Sequence, residues 1–202
     1  MVIFLAVLCG AYLIGSCPFG FILTKCLRGG DIREAGSGNI GATNVMRHMG
    51  KKVGYLTFVL DSSKGMLALL LCGMVQPLHI VADYYVIGIA VVLGHCFPVW
   101  LRFKGGKGVS TALGVIAYTQ LATHPEAWWV LLLFTALWVA TFFASKMVSV
   151  ASLVTFVALP VVMGVLYGVW LAPLLLSMLV IVRHHANIRR LMNGTEHRFV
   201  KK

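Results

Sequence analysis

The chain has 202 residues, 59% of them hydrophobic and 11% charged, with a mean hydropathy of +0.90. That balance excludes a soluble globular protein and leaves no room for a separate soluble domain, so residues 1–202 read as one membrane-embedded unit. The formal net charge of +11 would suit nucleic acid, but the basic residues stand in clusters between apolar runs. Such clustering excludes nucleic acid as the partner and points to membrane topology and to anionic lipid or substrate.

The predicted elements follow in chain order. Residues 2–25 form a first span, bent near Pro18. No basic n-region precedes it, and Leu8 rather than a small residue stands before Cys9, so it reads as neither a cleaved signal nor a lipoprotein site. Residues 26–52 are a first polar island, 53–75 a second span, 76–83 a loop without Lys or Arg, and 84–101 a third span. A second basic island occupies 102–108. As one helix, residues 109–145 would reach about 55 Å against a hydrocarbon core of about 30 Å. His124-Pro125-Glu126 breaks them into a fourth and a fifth helix, and Lys146 marks the next turn. Residues 147–182 divide likewise near Gly168 and Pro173, and a third polar island begins at Arg183.

The fold class expected is therefore an all-α integral membrane protein with seven transmembrane helices. With the tail inside, every Lys and Arg except Lys64 falls on the cytoplasmic side, which sets the N-terminus out and the C-terminus in. All three islands then open on the cytoplasmic face, where one shared site is expected. Five cysteines (Cys9, Cys17, Cys26, Cys72 and Cys96) lack CxxC spacing and read as small apolar core residues.

The first island centres on residues 36–47, GSGNIGATNVMR. Its backbone groups would have no partners in lipid. Its glycines allow a ligand to approach the backbone, and successive amides in a tight turn form an anion nest, making Ser37, Gly38 and Asn39 candidates for phosphate. The pattern predicts a helix over Ala42–Met49, stopped by Gly50. On it Thr43, Asn44 and Arg47 share one face, and Val45, Met46 and Met49 are expected to rest on the membrane interface.

In the second island, RFKGGKG, Gly105, Gly106 and Gly108 free the backbone while Lys104 and Lys107 add charge before a helix N-terminus. It is not a Walker A loop, and an anion site is favoured over a basic interfacial anchor. In the third island, helical continuation of the seventh span places His184 and Asn187 at i, i+3 and sets Arg183, Asn187 and Arg190 along an overlapping face. Gly194 is the expected stop. Asp61 and Lys64 lie one turn apart inside the second span, where a mutually satisfying pair is favoured over a proton path. His95 reads as a packing residue.

Together the islands carry GSGNxGATNxxR at 36–47, GHxFPxxxxFKGGKG at 94–108 and RHxxNIxRL at 183–191. In these motifs and their order the chain resembles the bacterial acyl-phosphate:glycerol-3-phosphate acyltransferase family, over essentially its whole length. Ile40 stands where relatives often carry proline, and His185 where they often carry a basic residue. The resemblance implies an enzyme of phospholipid biosynthesis. Its reaction would transfer an acyl group from acyl phosphate to the sn-1 hydroxyl of glycerol 3-phosphate. It further implies Ser37, Arg47, His184 and Asn187 as catalytic residues and Lys104 through Gly108 as the glycerol 3-phosphate loop. Membrane lipid is the other partner, no protein partner is named, and the location implied is the bacterial cytoplasmic membrane with the site facing the cytoplasm.

No Ser-His-Asp set or metal-ligand spacing is present, so neither cofactor nor metal is expected, and direct transfer with the leaving phosphate as base is favoured. A covalent acyl-Ser37 and His184 as general base are the chemical alternatives. The His-x4-Asp of soluble-type glycerolipid acyltransferases is missing, since His79 and Asp83 have three residues between them. A CDP-alcohol phosphotransferase needs a cluster of aspartates on its helices, and the chain has only three Asp. A transporter would place polar groups on both sides of the membrane.

Overall fold

The computed structural model describes residues 2–199, and these residues are helical throughout apart from turns and loops. They fall into two compact units, divided between Thr119 and Gln120.

The first unit begins with α1 (Val2–Gly15) and α2 (Phe19–Arg28), separated by a break at Pro18. A short 3-10 turn (Ile32–Glu34) and the loop after it lead into α3 (Ala42–Met49), which ends at Gly50 as the sequence predicts. The long α4 (Lys51–Val75) and α5 (Val81–Cys96) follow, then α6 (Val109–Thr123), which runs across the division. Glycine sets the helix spacing here, as it does wherever membrane helices must approach closely without a hydrophobic drive. A Cβ at Gly15 of α1 would overlap the Val91 carbonyl of α5, and one at Gly94 of α5 would overlap the Tyr12 carbonyl of α1. The Tyr12 hydroxyl closes that crossing by donating to the Phe97 carbonyl at 2.6 Å. Asp83 caps α5, its carboxylate accepting from the His79 and Ile80 amides, which gives the His79–Asp83 pair a structural role.

Two expectations for α3 do not hold. Its apolar side meets protein, not the membrane interface: Val45 is fully buried in a cluster with Ile32, Ile40 and Leu101, Met49 packs beside them, and Met46 lies against Gly54 of α4. Nor do Asn44 and Arg47 share an environment, since Asn44 is 2% exposed and Arg47 lies on the exposed side. Spacing at i, i+3 places residues near one line of a helix but does not say where the covering neighbours end.

In the second unit, α7 (Trp129–Ser145) turns at Lys146 into α8 (Val148–Tyr167), and α9 (Leu171–Arg183) and α10 (His185–Met192) follow. Gln120 donates to the carbonyls of His124 and Ala127 and to the Tyr167 hydroxyl, and the His124 ring stacks on Tyr167 at 4.2 Å. The seventh span does not continue straight into the third island: α9 and α10 bend by 60° at His184.

Among the described residues, five segments are long and apolar enough to cross a membrane: Val2–Arg28, Lys51–Val75, Val81–Leu101, Pro125–Ser145 and Val148–Tyr167. A sixth is counted if the bent pair α9 and α10 forms one span. The 15 residues of α6 reach only about 22 Å.

Candidate active site

The loop before α3 is built around one side chain. The Asn44 amide nitrogen donates toward the carbonyls of Asn39 (2.8 Å), Ala35 (2.9 Å) and Ile32 (3.3 Å), and its Oδ1 accepts the Ser37 amide at 3.1 Å. Gly36 and Gly38 hold left-handed backbone, with φ of 55° and 68°, where a Cβ is costly. Asn39 closes the next turn, its Oδ1 accepting the Gly41 amide at 2.8 Å. This bracing leaves Ser37 and Gly38 exposed at the loop's crest, with Thr43 in the first turn of α3, where amides precede the helix's own hydrogen bonds. At the loop's entry the Arg33 guanidinium clasps Asp31 (Nη2 to Oδ2, 2.6 Å), and that hydrogen bonding holds the Asp31 carboxyl below its usual range.

The glycine-rich loop lies in the same unit. Leu101, three positions before Lys104, packs in the cluster that holds Ile40 and Val45, which sets the second island beside the first. The Gly105 and Gly106 amides donate to the Cys96 and His95 carbonyls at 3.2 and 3.0 Å, folding the loop back on the end of α5. Gly108 is left-handed (φ 83°) and its carbonyl accepts from Ala112, opening α6. Lys104 is exposed and Lys107 half-buried. Gly105 and Gly106 are packed against protein: a Cβ on either would overlap the end of α5.

His184 and Asn187 belong to the second unit, and both are buried, at 2% and 4% exposure. His184 Nδ1 lies 2.7 Å from the Val180 carbonyl, which requires the proton on Nδ1 and makes Nε2 the acceptor nitrogen of the neutral ring. Asn187 Nδ2 donates to Glu196 Oε1 at 2.7 Å. A carboxylate only accepts, so it fixes which way the amide faces, and Asn187 Oδ1 is buried without a hydrogen-bond partner among the described residues. Ser149 also donates to Glu196 Oε1 (2.7 Å), and Arg190 Nε donates to Oε2 (2.8 Å). Burial alone would raise the Glu196 carboxyl; the bonds from Ser149, Asn187 and Arg190 outweigh it and hold the group below the usual carboxylate range.

Glu196 and Ser149 were missed by sequence reasoning. One signal was present: Glu196 is the sole acid among the basic residues of the tail. For Ser149, 47 positions away, no local pattern exists.

Residues 5–194 match the family described as Glycerol-3-phosphate acyltransferase. A protein of that name from Mesorhizobium japonicum is 43% identical, over 92% of this chain and 90% of its own. One from Syntrophotalea carbinolica is 40% identical, over 98% and 99%. The chain belongs to the glycerol-3-phosphate acyltransferase family. Among solved structures it is similar to PlsY, an integral membrane glycerol 3-phosphate acyltransferase, in its glycerol 3-phosphate form. The TM-score is 0.85 at 39% identity, covering 98% of this chain and 96% of that one. The lysophosphatidic acid form of PlsY matches with TM-score 0.82 at 37% identity, covering 98% and 95%. This acyltransferase is thus an integral membrane enzyme of the PlsY type.

Proposed function

We propose that this acyltransferase moves an acyl group from acyl phosphate to the sn-1 hydroxyl of glycerol 3-phosphate. The products are 1-acyl-glycerol 3-phosphate (lysophosphatidic acid) and inorganic phosphate. One observation carries this: the related PlsY is known in a glycerol 3-phosphate form and a lysophosphatidic acid form, two molecules that differ by a single acyl group.

In the reaction the sn-1 oxygen forms a bond to the acyl carbonyl carbon, the bond from that carbon to phosphate breaks, and the hydroxyl proton passes to the departing phosphate. The protein's part is placement and charge stabilisation. Ser37, Gly38 and Asn39 with the first turn of α3 receive the acyl phosphate, and Thr43 flanks them. Arg47 clamps its phosphate through the two-pronged guanidinium. Lys104, Lys107 and Gly108 hold glycerol 3-phosphate, and Gly105 and Gly106, whose amides are engaged by the end of α5, serve that binding by shaping the loop. Asn187 Oδ1, buried and without a hydrogen-bond partner among the described residues, accepts the attacking hydroxyl, with His184 fixing the approach. Asn44, whose amide is fully engaged by the loop, serves substrate binding by holding the nest in shape.

Seven crossings with the N-terminus outside place these residues at the cytoplasmic face of the cytoplasmic membrane, counting α6 and α9 as short crossings in a locally thinned bilayer. The absence of Lys and Arg from residues 76–83 supports that orientation. Cysteines placed in that loop and in the tail are expected to label from opposite sides, and labelling of both from outside overturns it.

The deciding experiment offers acyl phosphate, acyl-CoA and acyl carrier protein thioester in turn to the reconstituted enzyme with labelled glycerol 3-phosphate. Turnover with acyl phosphate alone is expected; turnover with a thioester and none with acyl phosphate refutes the proposal.

A further inference from the structure

Three ionisable side chains lie buried together in the first unit, outside the roles assigned above. Asp61 and Lys64, one turn apart on α4, pair at 2.8 Å, and His95 Nδ1 of α5 lies 3.5 Å from the same Asp61 Oδ1. All three are at most 3% exposed. Lys64 Nζ also donates to the Cys17 carbonyl (2.7 Å) at the break between α1 and α2, and stands 5.7 Å from the Phe19 ring. Buried ion pairs contribute little net stability over an apolar pair of the same volume, so stability is not a sufficient reason for charge here.

His95 touches the glycine-rich loop twice. Its carbonyl accepts the Gly106 amide at 3.0 Å, and its ring lies so close that a Cβ on Gly106 would overlap Nε2. With Nδ1 turned toward Asp61, the Nε2 edge of the ring is turned toward Gly106. Rotation of the ring would give up the carboxylate, and a larger residue at 106 would push the loop off the ring.

We infer that Asp61, Lys64 and His95 form a buried strut beneath residues 104–108, with His95 a positioning residue that sets the loop through Gly106 for glycerol 3-phosphate. The carboxylate draws the Nδ1 edge of the ring electrostatically, at a distance beyond good hydrogen-bond geometry. Lys64 balances the carboxylate and ties the strut to the break between α1 and α2. On this account Gly106 is glycine to admit the ring. The role assumes that residues 104–108 hold glycerol 3-phosphate, as proposed above.

A double-mutant cycle in full-length, reconstituted enzyme tests it, with KM for each substrate, kcat and melting temperature as readouts. Gly106→Ala is expected to raise the glycerol 3-phosphate KM about tenfold with kcat within about twofold. His95→Ala should raise it about threefold, and adding Gly106→Ala in that background should change nothing further, because the clash has gone with the ring. Equal tenfold effects of Gly106→Ala with and without His95 overturn the strut and leave the substrate assignment standing. A non-additive cycle that appears in the acyl-phosphate KM keeps the strut and sinks the substrate assignment.

A second variant covers loss of fold in His95→Ala. Asp61→Leu with Lys64→Met replaces both charges by apolar volume and leaves His95 and Gly106 in place. It should keep the melting temperature within a few degrees and raise the glycerol 3-phosphate KM about threefold. A wild-type KM for both substrates in that variant overturns the inference.

Discussion

Asn44 and Asn187 are both buried, both lie in motifs read as site residues, and do opposite things. Asn44 has every hydrogen-bonding atom engaged by its own loop: three carbonyls face its nitrogen and the Ser37 amide meets its oxygen. Asn187 is held on its nitrogen by Glu196, while its oxygen has no partner among the described residues. On the reading proposed above, saturation separates a side chain that shapes the site from one that meets substrate. An unmet buried acceptor is costly, and in the proposed reaction the attacking hydroxyl supplies the donor that Asn187 lacks.

The largest effect expected of that difference comes from Asn44→Asp. Oxygen would then face the carbonyls that now receive N–H, and a buried charge would have no donor on that side. Stability should fall by about 3–5 kcal/mol, with the loop and all turnover lost. Thermal unfolding in detergent measures it. A variant that keeps the wild-type melting temperature would show that Asn44 does not brace the nest.

The same exchange at Asn187 should be milder in stability and more specific in chemistry. Its new oxygen would stand 2.7 Å from Glu196 Oε1, and two carboxylates so close must share a proton. The shared proton has a raised pKa, so the stability it supports is present at low pH and lost as pH rises through that value. Asn187→Asp is therefore expected to fold, to lose about a hundredfold in kcat, and to recover part of it as pH is lowered. A pH profile parallel to wild type would show that Glu196 does not hold the residue.

Much of the fold was legible where composition and punctuation agreed. Pro18, His124-Pro125-Glu126 and Gly168 interrupt apolar runs, Gly50 closes the short helix of the first island, and the chain breaks at or beside each. Legibility failed where the deciding partner lay far along the chain. The period of α3 picks out Val45 as apolar but cannot say whether lipid or Leu101, over fifty positions later, covers it. The glycines show the same limit. Gly36 and Gly38 answer to a backbone angle, which a turn motif announces, whereas Gly106 answers to the ring of His95, which nothing local announces. Ser149 and Glu196 meet across 47 positions, and the bend at His184 that separates α9 from α10 has no proline or glycine to mark it.

The smallest effect expected sharpens the comparison from the side of the holder. Asn44 is held by neutral backbone, so its bracing is indifferent to mild acid, whereas Asn187 is held by a carboxylate. Glu196 has a folded-state pKa lowered by its bonds from Ser149, Asn187 and Arg190 against the opposing effect of burial. A lowered pKa contributes stability that is full above the unfolded value of about 4.3 and is lost as pH falls through the folded one. Glu196→Gln removes that dependence: its amide still accepts one N–H through oxygen, but its NH2 group opposes the Arg190 donor. The expected result is a loss of about 1–2 kcal/mol at neutral pH and a shallower fall of melting temperature below about pH 4 than in wild type. Because Asn187 is still held, though less firmly, kcat should drop by only about threefold to tenfold, well short of the Asn187→Asp variant. Acid limbs that superimpose in wild type and Glu196→Gln would place the acid-sensitive contact elsewhere, with the Asp31–Arg33 clasp as the next carboxylate to test.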